Sequence, residues 1–254
     1  MFEAESITNA LQAFQEDLTA AKANTMGWIF PKDGDHVMAR YKALLFGNAG
    51  KAGDPSIIKA SFNIFSKFSM GDKSAIPPDI KKHVFDIVAK YGGESDYYAI
   101  QKIYLQPQSE EEKLTALESL GSVRDVKVIR KSLQFALGKD VKSQDMFLIL
   151  TGLQHHANGV VEMWSWAKTN WDLIVRTLPS VLTSLSHVVM LVTCGLTTPG
   201  QIQDVVDFFK TKSTKGFDQA LGQSYDTMNA KQKWVQRYSG DVQEFLSQQR
   251  YLET

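Results

Sequence analysis

The clearest hydrophobic pattern in the chain lies over residues 157–176, where apolar side chains recur at steps of three and four. Three tryptophans, Trp164, Trp166 and Trp171, fall within this stretch. Such spacing places one broad apolar stripe on a single side of an α-helix. The preceding residues, 141–159, are a second apolar stretch that ends in polar residues. Together they predict a helical hairpin that needs neighbours on both sides to bury its faces.

The same helical periodicity recurs along the rest of the chain, and no run alternates as a strand does. Helix starts are indicated by residues that cap free backbone amides or place proline in the first turn. These signals are Asp54-Pro55, Pro77-Pro78, Ser109 with Glu112, Asp140, and Thr198-Pro199 with Gln201. Helix ends are predicted at Gly92-Gly93, Gly121 and Pro179, and a loop at 24–35 with Trp28 and Phe30 turned inward.

About a dozen short amphipathic helices, each paired with the next, predict an all-α fold. The hairpins repeat at roughly 30–40 residues, near the length of HEAT and armadillo units, so we expect a bowl-shaped α-α superhelix. The last helix is predicted over 217–233, followed by Trp234 and a short segment at 242–246. No linker or low-complexity segment divides the chain, which predicts a single domain over 1–254.

Charge and cysteine content exclude several classes of function. The chain has 28 Lys and Arg against 28 Asp and Glu, so it has no basic footprint for nucleic acid or an anionic membrane surface. Its one cysteine, Cys194, excludes an internal disulfide framework and favours a reducing, cytoplasmic location. The most apolar run, 181–196, is too short and too polar for a membrane span.

The residues that could contact a ligand lie mainly at the ends of the predicted helices. His155, His156 and Asn158 fall between the two helices of the central hairpin, where they form either an acid–base and binding group or an exposed loop. Gln144 and Asp145 either form a binding pair or bond backbone amides of a neighbouring turn. Lys142 is a further candidate for contact with a ligand.

The aromatic residues and the cysteine each allow a binding and a packing interpretation. Tyr97 and Tyr98 either line a groove, together with Tyr104, or pack in the core with polar tips at the surface. The tryptophans are expected to pack, with Asn170 holding a helix end. Cys194 is expected to be an inert buried thiol, because no basic residue adjoins it in sequence.

Over residues 26–246 the chain resembles the C-terminal helical domain of the thermolysin-like zinc aminopeptidases, most closely in their fungal branch. No single matching piece is specific, but their order and spacing extend over most of the chain. The pieces are Gly27-Trp28, residues 44–54, Ile76-Pro77, residues 110–113, VKSQD at residues 141–145, Trp164, Asn170-Trp171, Phe208-Phe209, residues 214–217 and residues 231–234.

The resemblance implies that the domain covers a separate zinc-bearing catalytic domain, encloses its cavity and limits which peptides enter. It also implies that the elbow holding His155 and His156 faces this cavity. None of the five histidines is followed by E-x-x-H, and the Gly-x-Met-Glu-Asn segment of the family is missing. No metal ligand, and therefore no cofactor and no peptidase activity, is expected of this chain alone.

The sequence departs from the family pattern at two positions. Relatives usually have arginine at the position of Lys142. Lysine keeps the positive charge but lacks the bidentate hydrogen-bond donor geometry of arginine. Tyr238 stands where relatives often have aspartate. Three functions therefore stay open: the cap of a zinc aminopeptidase, a free-standing module that binds a peptide or a partner protein, and an enzyme acting on a small molecule in the concave groove.

Overall fold

The computed structural model describes residues 5–27, 35–178 and 184–252, and all regular structure within them is helical. The predicted all-α fold is confirmed. Its α-helices in these ranges are α1 (Glu5–Met26), α2 (His36–Ala52), α3 (Pro55–Ser69), α4 (Lys81–Tyr91), α5 (Glu94–Leu105), α6 (Glu110–Ser119), α7 (Val126–Ala136), α8 (Met146–Leu153), α9 (Ala157–Thr177), α10 (Ser184–Thr193), α11 (Pro199–Lys210) and α12 (Asp218–Gln248). The predictions made for Trp28, Phe30 and Pro179 lie outside the described residues.

The helices group into two compact units. One comprises Phe2–Ser119 with Asp241–Thr254 and is called the α1–α6 unit; the other contains Leu120–Gly240 and is called the α7–α11 unit. Helix α12 contributes residues to both. The single domain over 1–254 and its superhelical bowl shape stay predictions.

In the α1–α6 unit the helices pack in consecutive pairs, α1 with α2, α3 with α4, and α5 with α6. Alternate helices also touch, since α4 contacts both α2 and α6. The core between them is aromatic and aliphatic, because most of these helices turn an apolar stripe inward. Its largest fully buried side chains include Phe46, Ile57, Phe68, Ile80, Phe85, Ile87, Tyr97, Ile100 and Tyr104.

In the α7–α11 unit α8 lies among α7, α9 and α10. A 3₁₀ turn at Leu120–Ser122 also packs against α8. A Cβ atom at Gly121 would lie 2.2 Å from the carbonyl oxygen of Ile149, so only glycine allows this approach. The helix end predicted at Gly121 is thus also a close contact with α8.

Predicted helix caps are confirmed where the hydrogen-bond donor and acceptor are only a few residues apart in sequence. Asp54 caps α3 by accepting the amide of Ile57, and Thr198 with Gln201 forms the predicted capping box of α11. At α6 the hydroxyl of Ser109 accepts the amide of Glu112, as predicted. The Glu112 carboxylate instead accepts the amide of Gln108, one residue before the predicted donor.

Two element predictions are wrong. Asp140 does not begin the helix after α7, because the chain first makes a 3₁₀ turn at Ser143–Asp145 and α8 begins at Met146. The predicted break between residues 233 and 242 is absent, since α12 runs without interruption from Asp218 to Gln248.

Candidate functional site

The elbow between α8 and α9 separates its two histidines. His156 is the N-cap of α9, and its Nδ1 atom accepts the amide of Gly159 at 3.1 Å. A Cβ atom at Gly159 would lie 2.8 Å from Nε2 of the same ring, so the ring is held tightly over the first turn. His155 and Asn158 are exposed. The structure therefore gives His156 a structural role and leaves His155 and Asn158 facing solvent.

A cavity of about 160 Å³ lies beside the 3₁₀ turn that precedes α8. It contains Gln144, and its far side is formed by His187 on α10, whose ring centroid is 4.9 Å from that of Phe147. The remaining lining residues are Ser143, Leu178, Ser184 and Val188. The cavity thus joins uncharged hydrogen-bonding groups to an aromatic wall, which suits one polar group of a ligand.

Two further predicted residues adjoin this cavity in sequence. Lys142 is exposed and precedes the 3₁₀ turn. Asp145 is buried at 8% exposure and precedes α8, but its side chain makes no capping hydrogen bond to that helix. Sequence reasoning identified Gln144 and Lys142 and missed His187, which no local motif distinguishes from a core histidine.

The predicted tyrosines lie in the other compact unit. Tyr97 on α5 is buried at 1% exposure, whereas Tyr98 is 47% exposed. Their ring centroids are 5.4 Å apart in an edge-on arrangement. Tyr97 therefore belongs to the core of the α1–α6 unit, and Tyr98 is the one of this pair that a ligand can reach.

Helix α9, which carries the three tryptophans, packs against α11 through aromatic side chains. Trp164 and Trp171 meet Phe208 and Phe209 of α11 at centroid distances between 5.1 and 6.1 Å, mostly edge-on. The indole nitrogen of Trp164 donates to Asp204 at 2.6 Å. Asn170 does not hold a helix end, because its amide bonds the carbonyl of Trp166 within α9.

Cys194 is half-buried and lies 3.7 Å from the Ser224 hydroxyl. The ammonium group of Lys231 donates to the carbonyl oxygen of Cys194 at 2.7 Å. This hydrogen bond is made to the backbone of Cys194 and not to its thiol. It links α12 to the end of α10.

Sequence reasoning missed a buried charged cluster in the α1–α6 unit. Asp86 on α4 is 1% exposed, and its carboxylate meets Lys51, Lys82 and the Ser119 hydroxyl at 2.8–2.9 Å. Burial raises the pKa of Asp86, but the two ammonium groups outweigh it and hold the pKa below its usual range. A carboxylate inside the apolar run VFDIVA was the available signal.

Next to this cluster, the ring of His83 is largely buried, and its Nδ1 atom has no hydrogen-bond partner among the described residues. Burial, followed by the positive charge of Lys51, lowers the pKa of His83 to about 4. The histidine is therefore neutral at neutral pH. With uncharged His83 and a fully paired Asp86, the cluster is suited to holding α2 and α4 together.

Within the part of the chain that the structure describes, no three His, Cys, Asp or Glu side chains are grouped so that they could hold a metal ion. Among these same residues, no helix is both long enough and apolar enough to cross a membrane.

Comparison with known proteins places these features in a family. The model of the ERAP1-like C-terminal domain matches residues 1–230. Among curated proteins, the chain is 39% identical to aminopeptidase 2, mitochondrial, of Saccharomyces cerevisiae, over 99% of this chain and 26% of that protein. It is 34% identical to the alanine/arginine aminopeptidase of the same yeast, over 99% and 29%.

A plant relative gives the same result. The chain is 30% identical to aminopeptidase M1-B of Oryza sativa subsp. japonica, over 87% of this chain and 25% of that protein. The chain thus spans about a quarter of the length of the curated relatives it matches. From the family model and the all-α structure together, we conclude that the chain belongs to the ERAP1-like C-terminal domain family of aminopeptidases.

Proposed function

We propose that this chain is the cap domain of a zinc aminopeptidase, which closes the cavity of a catalytic domain and influences which peptides enter. The match to the C-terminal domain model over residues 1–230 carries this proposal. The sequence supports it, because the chain lacks H-E-x-x-H and spans only a quarter of its aminopeptidase relatives. The zinc and the peptide-bond chemistry would then belong to the catalytic domain.

The cavity at Gln144 is where we expect this domain to contact a peptide. The Gln144 amide can both donate and accept hydrogen bonds, as a peptide group requires, and the exposed Lys142 offers a positive charge close by in sequence. The Phe147 and His187 rings supply an apolar wall for a side chain. The residues that line this cavity include no carboxylate, which favours selection among peptides over catalysis.

A chimaera tests the proposal. The region of Saccharomyces cerevisiae aminopeptidase 2 that matches this chain is replaced by this chain, and kcat/KM is measured for an aminoacyl-anilide and for a ten-residue peptide. We expect the chimaera to hydrolyse both. Replacing Gln144 and His187 by alanine should lower the peptide-to-anilide ratio of kcat/KM by about threefold to tenfold, the effect of losing one or two hydrogen bonds.

The matched control is Gln223→Ala, which removes an exposed glutamine of the same unit on α12 and should keep the ratio. A chimaera without hydrolysis contradicts the cap function. An unchanged ratio in the double variant contradicts a role of the cavity in peptide selection.

A further inference from the structure

Helix α2 presents a row of large apolar side chains to solvent. Val37 is 76% exposed, Met38 46%, Tyr41 43% and Leu44 57%. Of the fourteen exposed large hydrophobic side chains among the described residues, these four fall within eight consecutive positions. Single exposed apolar residues are ordinary on protein surfaces, whereas a contiguous row marks an interaction surface. We call these four residues the α2 apolar face.

The buried residues of α2 are mostly small, although Phe46 is also buried. A Cβ atom at Gly47 would lie 2.3 Å from the His83 ring, and one at Gly50 would lie 2.4 Å from the Ile87 side chain. The buried small residues are Ala43, Gly47, Ala49, Gly50 and Ala52. An ordinary surface helix turns its large apolar residues inward. Most of those on α2 point outward, so its outer side has the composition of a buried surface.

The position of α2 in its unit leads to the same conclusion. The inner side of α2 already packs against α1, α3 and α4. In helical-repeat proteins, a helix pair at an open end of the stack needs a polar outer face to stay soluble. The outer face of α2 is apolar, and therefore fits a further helical element better than it fits water.

We propose that the α2 apolar face binds an apolar helical surface in the part of an aminopeptidase chain that lies outside the matched region. The inference rests on the function proposed above. About three quarters of aminopeptidase 2 lies outside the region that this chain matches, which provides the partner. The exposed Arg40 lies between Met38 and Tyr41 in sequence, and α2 contains no carboxylate, so acidic residues are expected at the rim of the partner surface.

Cysteine alkylation in the isolated chain and in the aminopeptidase 2 chimaera tests the assignment. Leu44→Cys is introduced into both proteins, and labelling at position 44 is followed by peptide mass spectrometry. We expect at least about tenfold slower labelling in the chimaera, because alkylation there requires the contact to open. The control is Met70→Cys, whose position is 85% exposed in the same unit, and which should label at the same rate in both proteins.

Equal labelling rates at position 44 would overturn the assignment. So would slow labelling in the isolated chain that depends on its concentration, because a second copy would then cover the face. A chimaera that hydrolyses its substrates without protecting position 44 leaves the cap function standing and removes this surface. Protection of position 44 in an inactive chimaera supports the surface and contradicts the cap function.

A second measurement does not depend on labelling. Leu44→Lys should leave the thermal midpoint of the isolated chain unchanged, since the side chain is exposed there. In the chimaera the same substitution should lower the midpoint by several degrees, because it buries a charge at an apolar contact. An unchanged midpoint in the chimaera would count against the proposed contact.

Discussion

Asp86 and His83 are one turn apart on α4, yet Asp86 keeps its charge whereas His83 is neutral. Asp86 keeps its charge because two lysines and a hydroxyl replace the water that burial removed. His83 lies beside the same lysines, so a proton on its ring would add a third positive charge to a buried place. The folded protein therefore favours the neutral form of His83.

The lowered pKa of His83 predicts a pH-dependent stability. The unfolded chain binds a proton near pH 6.5, while the folded protein does so only near pH 4. The unfolding free energy is therefore highest above pH 6.5 and should fall by up to about 3 kcal/mol as the pH drops to 4. Urea unfolding at several pH values measures this decrease.

His83→Gln should reduce this pH dependence, because glutamine does not titrate. The exposed His36 of α2 is in the same unit, so His36→Gln should keep the decrease and serves as the control. An identical decrease in both variants would show that another group is responsible.

At the scale of single elements, helix α12 is longer than its sequence suggests. The sequence predicts a helix over 217–233 and a separate segment at 242–246, but the helix continues through the residues between them, including Gly240. A single glycine in a helix costs only about 1 kcal/mol, which neighbouring turns can offset. The space around Gly240 is open, so no packing contact requires glycine there.

Gly240→Ala should therefore stabilise the protein by about 0.5–1 kcal/mol, because alanine loses less conformational entropy in a helix. Thermal unfolding with helicity followed by circular dichroism measures the change. Gly216→Ala provides the contrast: its backbone φ is +97°, which alanine rarely adopts, so this change should destabilise. A destabilising Gly240→Ala would indicate the interruption that the sequence predicts.

Contacts were predictable from the sequence where the two partner residues are close along the chain, and were missed where the partners are far apart along it. The Asp54 and Thr198 caps were predictable because donor and acceptor are three residues apart. Asp86 was not, because its partners Lys51 and Ser119 are distant in sequence and only the packing of helices brings them near. His187 was missed for the same reason, since the cavity opposite Gln144 exists only once α10 packs on α8.

For the molecule as a whole, the candidate residues are divided between the two compact units. Gln144, His155 and His156 belong to the α7–α11 unit, and Tyr98 belongs to the α1–α6 unit. The described residues also offer no group of three metal-ligating side chains.

We accordingly expect the isolated chain to hydrolyse no aminoacyl-anilide, with or without added zinc. The physical reason is that zinc catalysis requires three protein ligands around an open coordination position. Release of the chromophore by pure protein, compared with the active chimaera as positive control, provides the measurement. Zinc-dependent release that survives repeated purification would contradict the cap assignment.

Helix α1 shares a small apolar cluster with the last turns of α12, where Ile7 and Ala10 pack with Leu246. The Tyr251 hydroxyl also donates to Asp17, across 234 positions of sequence. The first turns of α1 therefore pack against side chains synthesised more than two hundred residues later, in addition to the packing of α1 against α2.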